Sequence, residues 1–166
     1  MCVTILLKEQ ECDINAQCDH GGTALHAAAF RDNIDVVRLL LERSASVCVK
    51  DRRDVTPLHI AAKNSNRKIA QMLIHATYYH REPCPLTKVS VNSLDFKSRS
   101  PLHYAVKAGN FELIHEIMKH GASLSSYDLY DATPLNIAIS YGLPDIVNLL
   151  LEFHEDTDDA DEFDED

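Results

Sequence analysis

Four similar segments recur along the chain: Thr23-Ala24-Leu25-His26, Thr56-Pro57-Leu58-His59, Ser100-Pro101-Leu102-His103 and Thr133-Pro134-Leu135-Asn136. Their spacings are 33, 44 and 33 residues. A Thr or Ser before Pro is typical of a helix N-cap followed by proline at the first helical position, where the missing N–H is harmless. Each segment therefore predicts the start of a helix, and the recurring period indicates a repeat architecture.

Each copy of the motif is followed by two further signals. A stretch of small residues, such as Ala27-Ala28-Ala29, comes first and allows neighbouring helices to approach closely. About ten residues later comes a block of larger apolar residues, at 36–41, 69–74, 113–118 and 146–151. Burying each of these larger side chains is worth roughly 1.5–3 kcal/mol. The pattern predicts a pair of helices in every repeat, which becomes stable only by packing on its neighbours.

The period and the motif together resemble the ankyrin-repeat family over nearly the whole chain. The resemblance implies an all-α solenoid of stacked helix-turn-helix units with hairpin fingers projecting from one side. Two residues before each Thr or Ser, where the family usually has glycine, this chain has Gly21, Asp54, Ser98 and Asp131. We expect a turn with positive φ at each, with Ser98 the least suited of the four.

The repeats divide the chain into six units. These are a partial N-terminal repeat at 1–17, repeats at 18–50, 51–94, 95–127 and 128–151, and a disordered acidic tail at 152–166. The longer 44-residue step places an insertion near 77–92, in which Pro83 and Pro85 exclude a continuous helix. The insertion is either a tolerated surface loop or part of a partner site that includes its residues 78–81.

Composition excludes several classes of protein. The chain has 166 residues, 45% of them apolar, but no apolar run long enough for a membrane span or a signal peptide. Its five cysteines form no C-x-x-C pair, which favours reduced thiols and a cytoplasmic or nuclear location.

The net charge of −10 belongs to one end of the chain. Ten of the 26 acidic residues lie within 152–166, and the remaining chain has as many acids as bases. A nucleic-acid binder needs surplus Lys and Arg, so we expect no direct binding to DNA or RNA. The tail either keeps the chain in solution or acts as an electrostatic arm, for a basic partner or for the chain's own basic middle.

The sequence predicts no catalytic residue, no cofactor and no metal site, and hence no enzyme. In the ankyrin family the motif histidine is structural and bonds backbone between repeats, and Asn136 can form similar bonds in the last copy. This applies to three histidines: His26, His59 and His103. The strings Cys12-x5-Cys18-x-His20-x5-His26 and His75-x4-His80-x3-Cys84 lack structural-zinc spacing. Phosphate-binding glycine motifs are also absent.

The resemblance implies a protein-interaction scaffold that binds its partner on the concave face, through finger tips and the exposed side of each first helix. Repeats 51–94 and 95–127 carry a surplus of bases there, whereas segment 128–151 has none. Aromatic and arginine side chains on one continuous face are typical of interface anchors. We expect a monomer whose partner-binding residues are Phe30, Arg31, Arg52, Arg53, Lys63, Phe96, Lys97, Tyr104, Lys107, Leu129, Tyr130 and Tyr141.

Within the family, two features are similar to the IκB-like inhibitors of NF-κB/Rel transcription factors. These are an insertion inside an interior repeat and an acidic segment after the last one. A Rel-type partner is therefore one prediction, although the chain has no N-terminal Asp-Ser-Gly degradation motif. The alternative is a fragment of a larger ankyrin-containing enzyme, channel or toxin.

The family resemblance also indicates one modification site. Asn15, in Asp13-Ile14-Asn15-Ala16, matches the loop in which ankyrin proteins are hydroxylated on Asn. The corresponding loops at 47–49 and 124–126 have no Asn.

Overall fold

A computed structural model describes the backbone of residues 13–79 and 91–158, and the side chains of residues 13–76 and 91–153. Over these ranges the chain forms helices and turns with no strand. The helices are α1 (Ala24–Phe30), α2 (Ile34–Glu42), α3 (Pro57–Lys63), α4 (Arg67–Tyr79), α5 (Pro101–Ala108), α6 (Phe111–Lys119), α7 (Pro134–Ser140) and α8 (Pro144–Asp158).

The helices form two layers of a solenoid. The inner layer consists of α1, α3, α5 and α7, and each of these packs on the next along the stack. The outer layer consists of α2, α4, α6 and α8. Buried alanines such as Ala29, Ala61, Ala62 and Ala105 let the inner helices approach closely. The all-α repeat solenoid predicted from the motifs is therefore confirmed.

The N-caps lie where the motif predicts them. Thr56, Ser100 and Thr133 cap α3, α5 and α7, with proline in the first turn of each, and Thr23 caps α1. The outer helices use a different cap, because the Asn33 side chain accepts a hydrogen bond from the Val36 N–H at 3.1 Å. Asn66 and Asn110 make the equivalent bonds for α4 and α6.

The fingers are short turns joined to each other by backbone hydrogen bonds. Three residues form these turns at positive φ without being glycine: Asp54 and Ser98 at 57° and Asp131 at 56°. Gly21 occupies the same place in the first finger, at 77°. The expected turn conformation is thus confirmed in all four fingers, including the one that contains Ser98.

Neighbouring fingers are connected in series along the stack. Arg52 N–H donates to the carbonyl of His20 at 3.1 Å, and Phe96 N–H donates to the carbonyl of Arg53 at 2.9 Å. Leu129 N–H donates to the carbonyl of Lys97 at 3.0 Å. The fingers therefore form a continuous rim along one side of the inner helices.

The structure differs from the sequence predictions in three respects, which are the end of α8, the end of α4 and the state of one cysteine. Helix α8 continues to Asp158, so residues 152–158 are not disordered as predicted. The Phe153 ring is partly buried and packs edge-on against His115 at a centroid distance of 5.6 Å, which anchors this extension. Helix α4 extends to Tyr79 and so enters the predicted insertion. Cys48 is disulfide-bonded, so the thiols are not all reduced as the absence of a C-x-x-C pair predicted.

Several predictions lie outside the described residues. These include most of the partial repeat at 1–17, positions 80–90 of the insertion with His80 and Arg81, and the tail beyond Asp158. The side chains of Tyr78 and Tyr79 also lie outside them. Within the described part of the chain, no helix is long and apolar enough to cross a membrane.

Candidate protein-binding face

The motif histidines connect each repeat to the next. In the first copy, His26 Nδ1 accepts from the Thr23 N–H at 3.1 Å and from its hydroxyl at 2.9 Å. His26 Nε2 then donates to the carbonyl of Val55 in the following repeat, at 3.0 Å. His59 and His103 repeat this arrangement, with their Nε2 atoms 3.0 and 3.2 Å from the carbonyls of Arg99 and Ala132.

These bonds require one charge state of the imidazole. A ring that accepts at Nδ1 and donates at Nε2 is the neutral Nε2–H tautomer. Burial lowers the pKa of His59 to about 4, although the backbone acceptor acts in the opposite direction. Burial also lowers the pKa values of His26 and His103. The motif histidines are thus neutral at pH 7 and occupied by structural hydrogen bonds.

Asn136 takes the place of histidine in the last repeat. Its Oδ1 accepts from the Thr133 N–H at 3.0 Å and from the Thr133 hydroxyl at 2.7 Å. The Asn136 side chain therefore makes the two capping contacts that the motif histidines make through Nδ1.

A groove of about 670 Å³ opens on the concave face of the two central repeats. Fingers form one wall, and the exposed sides of α3 and α5 form the other. It brings together seven of the predicted partner-binding residues: Phe30, Arg53, Lys63, Phe96, Lys97, Tyr104 and Lys107. Asp51, Arg99, Ile60 and Asn64 also contribute to its lining.

The groove carries cations that have no ion-pair partner among the described side chains. Over the part of the chain that the structure describes, Arg53, Lys63, Lys97 and Lys107 form no ion pair. Phe96 lies beside them with 49% of its surface exposed. The ammonium of Lys97 is 5.5 Å from the Phe96 ring centroid, within cation–π range. The groove therefore combines positive charge with exposed aromatic surface.

A hydrogen-bonded triad of buried Asp95 and partly buried Arg99 and Tyr104 lies at the floor of this groove. Oδ2 of Asp95 accepts from Arg99 Nη2 and from the Tyr104 hydroxyl, both at 2.7 Å. The Arg99 guanidinium also lies over the Tyr104 ring, 4.6 Å from its centroid. Burial tends to raise the pKa of the Asp95 carboxyl, but the hydrogen bonds from Arg99 and Tyr104 lower it below its ordinary value. Burial and the neighbouring carboxylate raise the pKa of Tyr104, which keeps its phenol protonated.

Five predicted partner residues lie outside the groove lining: Arg31, Arg52, Leu129, Tyr130 and Tyr141. Tyr130 is next to the groove, because the Lys97 ammonium lies 5.9 Å from its ring centroid. It is also the most exposed large apolar side chain described, at 74%. Leu129 is in the same finger, whereas Arg31 and Tyr141 are the C-cap residues of α1 and α7.

Sequence reasoning omitted Arg99, whose role depends on its contact with Asp95.

Asn15 has an equivalent that sequence reasoning missed. Asn15 Oδ1 accepts from the Ser46 N–H at 2.8 Å, which joins its loop to the next repeat. Asn92 Oδ1 accepts from the Ser123 N–H at 2.7 Å, and the Asn92 amide donates to the carbonyl of Gly121 at 2.9 Å. Asn92 comes 77 residues after Asn15, the sum of two repeat steps, and this spacing was the signal available.

One group of side chains has the composition of a metal site, and it lies on the outer layer rather than in the groove. His75 on α4 is close to Glu116 and His120 at the end of α6. The potential ligand atoms of the three residues all lie within 4.8 Å of one another. Neither of the cysteine and histidine strings singled out in the sequence predicts this combination.

Comparison with known proteins gives a consistent result. A family model described as ankyrin repeats (3 copies) matches residues 1–83 and 84–161. An ankyrin repeat protein of Fowlpox virus (strain NVSL) is 30% identical over 152 residues, which are 91% of this chain and 99% of that protein.

Longer proteins are similar over a small part of their length. The transient receptor potential cation channel subfamily A member 1 of Drosophila melanogaster is 30% identical over 84% of this chain, which is 12% of the channel. Alpha-latrotoxin-Lg1a of Latrodectus geometricus is 28% identical over 82% of this chain, which is 9% of the toxin.

Proposed function

The chain belongs to the ankyrin-repeat family, and from this premise we propose that it is a non-catalytic module that binds a protein partner in its concave groove. The observation that supports this most directly is the set of cations at Arg53, Lys63, Lys97 and Lys107, which have no ion-pair partner among the described side chains. Exposed aromatic surface at Phe96 lies beside them.

The chemistry of the groove defines the partner segment. Cations on both walls favour a carboxylate-rich segment, while Phe96 and Phe30 offer apolar contacts to an aromatic or aliphatic side chain. The hydrogen bonds of the Asp95–Arg99–Tyr104 triad hold Arg99 and Tyr104 in place, so these two side chains lose little conformational entropy on binding. We propose an acidic segment with interspersed apolar residues as the ligand.

Matched charge reversals test the groove. Lys63→Glu with Lys107→Glu changes the exposed ends of the inner helices α3 and α5. Lys68→Glu with Lys119→Glu changes the outer helices of the same two repeats by the same net charge. Proteins that co-purify with the immobilised full chain are identified by mass spectrometry, and one partner is then titrated with all three forms.

We expect the inner pair of substitutions to weaken binding at least about tenfold and to reduce its salt dependence. The outer pair should change the affinity little. Equal losses for the two double variants would show that only net charge matters. No loss for the inner pair would exclude the groove as the binding site.

We also propose a more specific partner, a Rel-type transcription factor dimer bound in an IκB-like manner. The support for it is the lengthened step between the second and third motif copies and the ten acidic residues within 152–166. Titration of the purified chain with a Rel-type dimer at two salt concentrations tests it. Nanomolar binding that weakens with salt is the expected result, and no binding at micromolar concentration would exclude this partner.

A third proposal is that the chain is part of a longer ankyrin array. Its similarity to 12% of a cation channel and to 9% of a toxin supports this, whereas the fowlpox protein matches over nearly its full length. An intact-mass measurement of the native protein distinguishes a longer array from a chain of this length. A mass near 18.6 kDa would contradict the longer array.

A further inference from the structure

Three potential metal ligands from two repeats meet on the outer layer of the solenoid. His75 is on α4, Glu116 is on α6, and His120 is the residue that caps α6. His120 Nε2 lies 3.5 Å from Glu116 Oε1, and the rings of His75 and His120 pack edge-on with centroids 5.4 Å apart. All three potential ligand atoms lie within 4.8 Å of one another.

Two imidazoles and one carboxylate are ligands that Zn²⁺ accepts, with metal–ligand distances near 2.0–2.2 Å. Ligand atoms around a tetrahedral ion are then about 3.3 Å apart. His75 is exposed, and Glu116 and His120 are half-buried. The separations between the three atoms exceed that spacing by at most about 1.5 Å, and we infer that rotation of the exposed His75 side chain closes this difference.

The surroundings of Glu116 help to orient the site. Its carboxylate accepts a hydrogen bond from Gln71, which is one helical turn before His75 on α4. Hydrogen bonds of this outer-shell kind fix the direction of a ligating side chain and strengthen metal sites. The contact between Gln71 and Glu116 also joins α4 to α6, the two helices from which the potential ligands come.

We propose that His75, Glu116 and His120 bind one divalent transition-metal ion, of which Zn²⁺ fits the ligand set, and that the ion braces α4 against α6. His75 and His120 are 45 residues apart, so the three ligands come together only when the repeats at 51–94 and 95–127 are stacked. A ligand that binds the folded state alone stabilises it by mass action. The ion therefore acts as a clamp between the repeat that contains the insertion and the repeat that follows it.

Calorimetric titration of the metal-free full chain with Zn²⁺ tests the site directly. We expect one ion per chain and a rise in the thermal unfolding temperature with added Zn²⁺. His75→Ala and His120→Ala should each weaken the affinity by at least about tenfold, since loss of outer-shell partners alone costs 10–100-fold. Glu116→Gln keeps the side-chain size but removes the charge, so it should also weaken binding.

The matched control is His20→Ala, which removes an exposed histidine from a finger on the opposite side of the solenoid. It should leave both the affinity and the thermal shift unchanged. Circular dichroism of each metal-free variant establishes that the helices are intact. In the wild type, the imidazole NMR resonances of His75 and His120 should shift with Zn²⁺, while that of His20 should not.

Two outcomes would overturn the proposal. One is no binding of Zn²⁺ up to millimolar concentration. The other is binding that survives both histidine variants unchanged, which would place the ion elsewhere, for example on the cysteine thiols.

Discussion

The Tyr104 hydroxyl donates a 2.7 Å hydrogen bond to Oδ2 of Asp95, and the two residues come from different parts of the same repeat. Asp95 belongs to the finger, and its side chain is completely buried. Tyr104 belongs to the inner helix α5. The bond therefore ties the finger to the helix behind it, and Arg99 strengthens the contact by pairing with the same carboxylate oxygen.

Asp95→Asn should destabilise the protein by about 2–4 kcal/mol, because it leaves Arg99 partly buried without its anionic partner. Asp128→Asn is the matched control. Asp128 accepts from two backbone N–H groups of its own finger, as Asp95 does, but Ala132 replaces the arginine. Urea unfolding should show a clearly smaller loss for Asp128→Asn, and equal losses would mean that the pair with Arg99 contributes nothing.

Alanine substitutions at Gly21 and Gly109 test how closely the first two fingers pack. Gly21 lies in the first finger, whereas Gly109 is the C-cap residue of α5. Both have positive φ, at 77° and 71°. A Cβ atom added at Gly21 would lie 2.8 Å from the Arg52 backbone nitrogen, whereas one at Gly109 would meet no atom within 4 Å.

Gly109→Ala should therefore cost only the conformational penalty of about 1–2 kcal/mol. Gly21→Ala should cost at least about 1 kcal/mol more, since backbone must move to relieve the contact. Thermal or urea unfolding of the two variants measures the difference. Equal destabilisation would show that the first two fingers separate without cost.

The inter-repeat role of the motif histidine can be separated from its capping role. His59→Asn should retain the cap, because Asn136 makes both capping contacts with Thr133, but should lose the bond to the Arg99 carbonyl. The expected loss of stability is about 1–3 kcal/mol. Asn136→Ala removes capping alone and should cost about 1 kcal/mol. If His59→Asn has no effect in chemical unfolding, the bond between repeats is dispensable.

Stability should fall as the pH drops below 6.5. Burial lowers the pKa of His59 from 6.5 to about 4, so between these values the unfolded chain binds a proton that the folded chain excludes. His26 and His103 are shifted in the same direction. Within this window His59 contributes up to about 1.4 kcal/mol per pH unit, and the lowered pKa values of the other two histidines add to the decrease.

The free energy of unfolding, measured by urea titration from pH 7 to pH 5, should therefore decrease. His59→Asn should reduce the slope of that decrease. An unchanged slope would mean that His59 does not titrate differently in the two states.

Much of the architecture follows from the sequence because each repeat repeats the same local chemistry. Thr56 and Pro57 specify a helix start whatever their neighbours are, and the turn at Asp54 needs a residue that tolerates positive φ. Even Ser98 adopts this conformation. Its own N–H donates to the Asp95 carbonyl, and its finger is bonded to both neighbouring fingers through the Phe96 N–H and the Lys97 carbonyl. The seven groove residues that were predicted also follow from position within the repeat.

The boundaries of the array were less predictable. The acidic composition after residue 151 indicated disorder, yet α8 continues to Asp158 because Phe153 packs against His115 on the preceding outer helix. This contact joins residues 38 positions apart, and no local pattern reports it. The equivalence of Asn92 to Asn15, by contrast, could have been predicted from the sequence, because the 33- and 44-residue steps together separate the two residues.

The sequence by itself determined the repeat fold, the helix caps and which residues of each repeat lie on the fingers and inner helices, because these depend on interactions within a few residues or on the period. Only the tertiary structure decided which charges are neutralised and which ligands meet. Arg99 is paired with Asp95, whereas Lys63 and Lys107 are unpaired in the part of the chain that is described. His75 meets Glu116 and His120 because stacking brings α4 next to α6. Such contacts depend on the rotation of one repeat on the next, which the packing of the whole solenoid sets.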